Sequence, residues 1–195
     1  MWFLCLGVAL FSWRFMVAGV EASMDFVAYH ARLRPIAFYA HVTLAPVALA
    51  LIPFQLWQRL RARRPAIHRL LGRLYGLAIM VSGSAGLWLA LNTEAGPIAA
   101  WGFGLLAATW LVASGWGIAL AMRGDRAAHE RWMTRSIALT LSAVTLRLYI
   151  PLALSLEVPF ATAYPAIAWL CWVPNLVIAE LIIRSRAALR AQRAQ

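Results

Sequence analysis

The residues best suited to chemistry lie in one apolar stretch that runs from His129 to Pro151. On a helix of 3.6 residues per turn, four polar residues of this stretch share one narrow stripe: His129, Ser136, Thr140 and Arg147. His129 and Arg147 are eighteen residues apart, which is five turns and about 27 Å along a helix axis. That distance is close to the thickness of the hydrocarbon core of a bilayer. Because a guanidinium facing lipid is costly, the stripe is predicted to face protein or water.

The histidines of the chain suggest a haem site. His68 and His129 each begin an apolar run at the same predicted depth, so facing helices could present them as axial ligands of a b-type haem. Alternatively, both contact lipid headgroups at helix ends. His41 lies deeper, and its candidate partner for a second ligand pair, His30, is in the preceding loop, where the geometry is poor. Arg147 lies at a depth comparable to His41, where it could neutralise a haem propionate or bind a quinone oxygen or an anionic substrate. It could also be purely structural, bonding to carbonyls freed by proline.

Two other groups of polar residues fall within or beside the apolar runs. Tyr149 and Asn175 join His41 and Arg147 as candidate substrate-binding residues. At the opposite depth the sequence predicts an inner charged cluster made of Arg69, Arg73, Arg135 and Glu180. This cluster could be part of a functional site, or it could be a ring of arginines paired with acidic residues at the membrane surface.

The chain lacks the patterns of hydrolytic or structural metal sites. Neither GxSxG nor HExxH occurs, and Cys5 and Cys171 lie far apart within apolar runs. Both cysteines are interpreted as small packing residues. The only predicted metal ligands are therefore His68 and His129, toward a possible haem iron.

The composition is typical of a polytopic membrane protein. The 195 residues are 63% hydrophobic with a mean hydropathy of +0.73, and only 13% are charged, against roughly a quarter in soluble domains. All eighteen basic residues are arginine, and most lie in short segments between apolar runs. The positive-inside rule explains the net charge of +11 without nucleic acid. The expected partner is the lipid bilayer.

We predict an all-α integral membrane bundle of six transmembrane helices that forms a single domain over residues 1–195. The predicted spans are about 2–20, 36–57, 70–91, 98–121, 135–154 and 165–183. Arginine-rich segments at 59–69, 123–135 and from 184 onward mark the inner side, so both termini are predicted to be cytoplasmic. Residues 24–35 are predicted to form a polar loop on the outer side.

Three stretches carry a resemblance to a known family: HRLLGRLYG (68–76), HERWMTRSIALTLSAVTLRLYIPL (129–152) and WLCWVPNLVIAELII (169–183). Together with His41 they resemble a bacterial family of predicted multi-pass inner-membrane proteins catalogued as a domain of unknown function. The resemblance extends over about 39–184 and implies a topology and a bacterial inner-membrane location, but no activity. The residues that match the family's motifs are His41, His68, Arg69, Gly72, Arg73, Tyr75, His129, Trp132, Met133, Arg135, Arg147, Asn175 and Glu180.

A more distant similarity, in layout only, is to cytochrome b-type membrane proteins, whose helical bundles hold haems by paired histidines. The chain departs from that pattern because it lacks a clear second outer ligand.

Three functions follow from these observations. The first is a transmembrane electron carrier or redox subunit that binds haem b or a quinone through His41, His68 and His129. The second is a transporter of a small solute, a proton or an anion, with Arg147 and His41 as its binding site. The third is a non-catalytic scaffold subunit. The sequence identifies neither a redox partner nor a homo-oligomer.

Overall fold

The computed structural model describes residues 2–192, and every regular element among them is helical. Five helical segments are long and apolar enough to cross a membrane: Pro35–Leu56, Pro65–Leu91, Pro97–Met122, Arg126–Ser155 and Phe160–Gln192. A shorter apolar segment, Trp2–Val17, precedes them. The all-α membrane bundle is therefore confirmed. A sixth crossing stays a prediction, because the first segment is shorter than the others.

The helices are α1 (Trp2–Ser12), α2 (Arg14–Val17), α3 (Val20–Met24), α4 (Ala28–Leu33), α5 (Pro35–Leu56), α6 (Gln58–Arg63), α7 (Pro65–Leu91), α8 (Pro97–Met122), α9 (Arg126–Thr140), α10 (Ser142–Ser155), α11 (Phe160–Leu170) and α12 (Val173–Gln192). We call the end of the bundle that carries the 92–96 turn the outer end and the opposite end the inner end, following the charge-based prediction.

The last two membrane segments extend beyond their predicted bounds. The fifth begins at Arg126 rather than near 135, because Asp125 caps the helix by accepting a hydrogen bond from the Ala128 backbone N–H at 2.9 Å. Each segment is also divided into two helices, at Leu141 between α9 and α10 and at Cys171 between α11 and α12.

Small residues allow the central helices to approach closely. A Cβ atom added to Gly76 of α7 would lie 2.5 Å from Ile118 of α8, and one added to Gly83 would lie 2.8 Å from Leu111. Close backbone approach at glycine is a common basis of helix association in membranes, where burial from water supplies no driving force.

The segment predicted as a polar outer loop is helical, and that part of the prediction was wrong. Residues 24–35 contain a short 3-10 turn followed by α4, whose Ala28 and His30 are buried. Ala28 packs with Phe15, Phe38 and Leu89 in a small apolar cluster at the outer end. Because these short helices contribute apolar side chains to the bundle, they cover its outer end.

Candidate functional site

A cavity of about 530 Å³ occupies the outer half of the bundle. Its wall is mostly apolar and aromatic and includes residues of α5, α7, α8, α10 and α11. The titratable or hydroxyl-bearing residues on this wall include Tyr29, His30, His41, Glu94, Thr140, Arg147 and Tyr164. This volume, with an apolar lining and a few polar groups, is typical of a site for a small molecule or cofactor. We call it the outer cavity.

His41 presents a nitrogen with a free lone pair to this site. Its Nδ1 lies 2.9 Å from the backbone carbonyl oxygen of Ser82, and because a carbonyl can only accept, Nδ1 carries the proton. In the neutral ring, Nε2 is then an acceptor, and it has no hydrogen-bond partner among residues 2–192. Gly86 makes room for the ring, since a Cβ there would lie 2.9 Å from Nδ1.

Arg147 lines the same cavity, as the sequence pattern predicted for a site shared with His41. Its Nη1 donates to the carbonyl oxygen of Ala143 at 3.0 Å. None of the four ion pairs found among residues 2–192 includes Arg147. Since a guanidinium has five N–H donors, most of them remain available for an acceptor in the cavity.

His30 also lines the outer cavity, which differs from the poor geometry expected from its place in the sequence. The side chain is only 6% exposed, and its ring packs against Tyr29 with 4.1 Å between the ring centroids. Its Nδ1 is buried without a hydrogen-bond partner in the part of the chain that the structure describes. Burial, followed by the nearby charge of Arg34, lowers the pKa of His30 to about 4, so the ring is neutral at pH 7.

The inner histidine pair lies apart from this cavity, since neither His68 nor His129 is on its wall. The Nδ1 of His129 lies 2.7 Å from the carbonyl oxygen of Gly117, which again assigns the proton to Nδ1. His68 has a buried Nδ1 without a partner among the described residues. Haem ligation by this pair stays a prediction.

The remaining substrate-binding candidates are outside the cavity wall. Tyr149 is half-buried and does not line it. The side-chain amide of Asn175 donates to the Thr145 hydroxyl at 2.9 Å and to the Cys171 carbonyl at 3.1 Å. Asn175 therefore stabilises the break between α11 and α12 and its contact with α10.

The predicted inner charged cluster divides into a paired and an exposed half. Arg135 binds both carboxylate oxygens of Glu180, at 2.5 and 3.0 Å, and its guanidinium lies 4.7 Å from the Trp132 ring centroid. Arg69 and Arg73 are exposed and form no ion pair with the described residues. The paired half joins α9 to α12.

A buried hydroxyl network in the middle of the bundle was only partly predicted. Tyr75 is 1% exposed, and its hydroxyl bonds to Thr140 at 2.8 Å and to Ser136 at 3.0 Å. The Trp110 indole donates to Thr140 at 2.9 Å, and Ser114 bonds to Ser136 at 2.7 Å. The helical stripe predicted Ser136 and Thr140, whereas Ser114 and Trp110 carry no local signal that distinguishes them from other residues of an apolar helix.

Glu94 and Tyr164 were not identified from the sequence as site residues, and His30 was named only as a partner of His41 with poor geometry. His30 and Glu94 lie in short outer segments, and Tyr164 lies in α11, so the place of each residue on the cavity wall depends on how these elements pack together.

Comparison with known proteins places the chain in a family. A family model described as "Predicted membrane protein (DUF2306)" matches residues 38–183, about three quarters of the chain. The matched range contains His41, His68, His129 and Arg147, whereas His30 precedes it. No curated protein and no solved structure matches the sequence. The chain belongs to the DUF2306 family of predicted membrane proteins.

Proposed function

We propose that this protein is a redox subunit of the bacterial inner membrane that holds a haem or a quinone in its outer cavity. The observation that carries the proposal is that His41 and Arg147 line one mostly apolar cavity of about 530 Å³. Haem and quinone share the chemistry that this wall recognises, because each combines a flat, mostly apolar ring with oxygen atoms that accept hydrogen bonds.

Each ligand would use the two side chains in a definite way. A quinone carbonyl would accept from an Arg147 N–H, and a quinol hydroxyl would donate to Nε2 of His41. For haem, Nε2 of His41 would ligate the iron, and Arg147 would pair with a propionate. In both cases Nδ1 of His41 keeps its bond to the Ser82 carbonyl, which holds the ring in position.

The test uses the full chain purified in mild detergent. An absorption spectrum of the oxidised and dithionite-reduced protein detects haem, and solvent extraction followed by mass spectrometry detects quinone. We expect one of the two to co-purify, and His41→Ala and Arg147→Leu to lower its occupancy severalfold. Arg73→Leu is the matched control, because Arg73 is exposed and away from the cavity.

Protein that carries neither group, and that binds neither added hemin nor a short-chain quinone, would exclude this function.

A second function, uptake or release of a small anion, is favoured by one observation. Arg147 has no carboxylate partner among residues 2–192, and the membrane segment that carries it is divided at Leu141 between α9 and α10. Interrupted helices at a charged midplane site are a feature of secondary transporters. Liposomes containing the protein would then show anion flux that Arg147→Ala abolishes and Arg73→Ala does not.

A further inference from the structure

We propose that the outer cavity holds one b-type haem whose iron is ligated by His30 on one face and His41 on the other. This inference rests on the proposed redox function and identifies the group that the cavity binds. The haem would be held without covalent attachment, because the two cysteines, Cys5 and Cys171, are not in a haem-attachment motif.

The first argument is that the outer cavity brings together two imidazoles. His30 from α4 and His41 from α5 are both on its wall. His41 has the arrangement usual for a metal-binding histidine, with Nδ1–H donating to a carbonyl at 2.9 Å and Nε2 left for the metal.

The second argument is that a buried ring nitrogen of His30 lacks a partner among the described residues. Nδ1 of His30 is buried and forms no hydrogen bond with residues 2–192, in a side chain that is 6% exposed. A buried polar group in that state calls for a partner outside the chain. A quinone bound to His41 and Arg147 leaves His30 in this condition, whereas an iron between the two histidines gives it a ligand bond.

The third argument concerns the rest of the haem. The porphyrin is a broad apolar ring with two carboxylates, and the wall offers aromatic side chains such as Phe38, Phe103 and Trp110. Arg147 supplies a cation in the same cavity that is not neutralised by a carboxylate of the described residues. A propionate there would form the bidentate pair that arginine favours.

The chain contains four histidines, so a complete histidine scan tests the assignment. Each is changed to alanine in the full chain, which is expressed with added haem precursor, purified in mild detergent and measured by absorption in both oxidation states. The unmodified protein should contain one haem per chain, with a Soret band and sharp α and β bands on reduction. His68→Ala and His129→Ala are the matched controls and should keep this spectrum.

The two ligand variants are expected to differ. His41→Ala should lose most of the haem, because His41 is the ligand held by a second hydrogen bond. His30→Ala should keep haem in a five-coordinate, high-spin form that binds carbon monoxide, and added imidazole should restore the low-spin spectrum. Should either variant fail to fold, near-infrared magnetic circular dichroism of the unmodified protein identifies bis-histidine ligation directly.

Other outcomes separate this inference from the function on which it rests. A haem that is lost in His68→Ala or His129→Ala but unchanged in His30→Ala overturns the inference and leaves the redox function standing. Co-purified quinone without haem also overturns the inference and leaves the redox function standing. Absence of both groups overturns the inference and the proposed function together.

Discussion

At the inner end of the bundle Arg135 binds Glu180 through two hydrogen bonds, whereas at the outer end Arg147 bonds only to the carbonyl of Ala143 among residues 2–192. The two arginines lie on one continuous segment, in α9 and α10. The inner one joins two helices, because its donors are used by a side chain of α12. The outer one lines the outer cavity with N–H donors that no carboxylate of residues 2–192 uses, as expected for a group that binds a ligand.

The histidines show a related contrast. His129 at the inner end is bonded to a backbone carbonyl and is not on the cavity wall, whereas His30 and His41 at the outer end line the cavity with ring nitrogens left without partners among the described residues. Residue type and membrane depth alone do not separate these cases. What separates them is the cavity, because His30 and His41 are on its wall, whereas His129 and His68 are not, although Nδ1 of His68 also lacks a partner among the described residues.

A hydroxyl network around Tyr75 lies between the inner and outer ends of the bundle. The Thr140 hydroxyl donates to the Ser136 carbonyl and accepts from Trp110, so the Tyr75 hydroxyl is the donor in its bond to Thr140. Thr140 is also on the wall of the outer cavity. The network therefore forms the floor of the cavity and ties α7, α8 and α9 together.

The largest expected effect comes from removing that floor. Tyr75→Ala should lower the free energy of unfolding by about 3–5 kcal/mol, because it empties a fully buried position and leaves hydroxyls without partners. Tyr75→Phe keeps the ring and should cost about 1 kcal/mol. Thermal unfolding in detergent, followed by circular dichroism, measures both. Tyr39→Ala is the control, since Tyr39 is 40% exposed. Equal losses at positions 39 and 75 would contradict a structural role for the network.

The next effect is a dependence of the free energy of unfolding on pH, caused by His30 at the outer end. The pKa of His30 is about 4 in the folded protein and about 6.5 in an unfolded chain. Between these values the unfolded chain binds more protons, so stability falls as the pH is lowered from about 6.5 toward about 4. For haem-free protein the loss should be on the order of 2 kcal/mol at pH 5.

His30→Phe supplies the comparison for this pH effect, because it keeps an aromatic ring and removes the titration. The unfolding temperature of the unmodified protein should fall relative to that of His30→Phe as the pH is lowered from 7 to 5, because only the unmodified protein takes up this proton on unfolding. A difference that stays constant over this range would show that His30 does not titrate on unfolding.

The sequence predicted the membrane helices better than it predicted the cavity. Apolar runs of the right length gave spans 36–57, 70–91 and 98–121, which begin and end within five residues of α5, α7 and α8. Helical periodicity also predicted the shared face of Ser136 and Thr140, which both bond to Tyr75, because the positions of neighbours on one helix are fixed by geometry.

His30 shows why the rest was not predictable. Its segment, residues 24–35, is short and polar and carries no strong apolar period. The segment is held by residues far away in the chain. The Phe26 ring packs against the Phe160 ring with 4.1 Å between the ring centroids, and Arg34 donates to the Asn92 side chain at 3.1 Å. Side-chain contacts between elements far apart in the chain leave no local pattern in the sequence. The outer cavity, which such elements enclose, leaves no local pattern either.

A smaller effect tests whether the position of His41 matters. Gly86→Ala adds a Cβ that would lie 2.9 Å from Nδ1 and 3.0 Å from Cε1 of His41. The imidazole must then move away from the Ser82 carbonyl, which should cost about 1–2 kcal/mol of stability and reduce ligand occupancy severalfold. Gly115→Ala in α8 is the matched control, because a Cβ there meets no atom within 4 Å. If both variants behave alike in ligand occupancy, the close fit of His41 against α7 is not part of the site.

The smallest effect compares the two arginines directly. Arg135→Leu should lower the stability of ligand-free protein by about 1 kcal/mol, because it leaves the partly buried Glu180 without its partner. Arg147→Leu should change stability by no more than about 0.5 kcal/mol, since only one bond to its own helix is lost. Ligand occupancy should respond in the opposite order, with a severalfold loss for Arg147→Leu and little change for Arg135→Leu. A variant of Arg147 that unfolds while the Arg135 variant remains folded would make the outer arginine the structural one and would remove the basis for a ligand at the outer end.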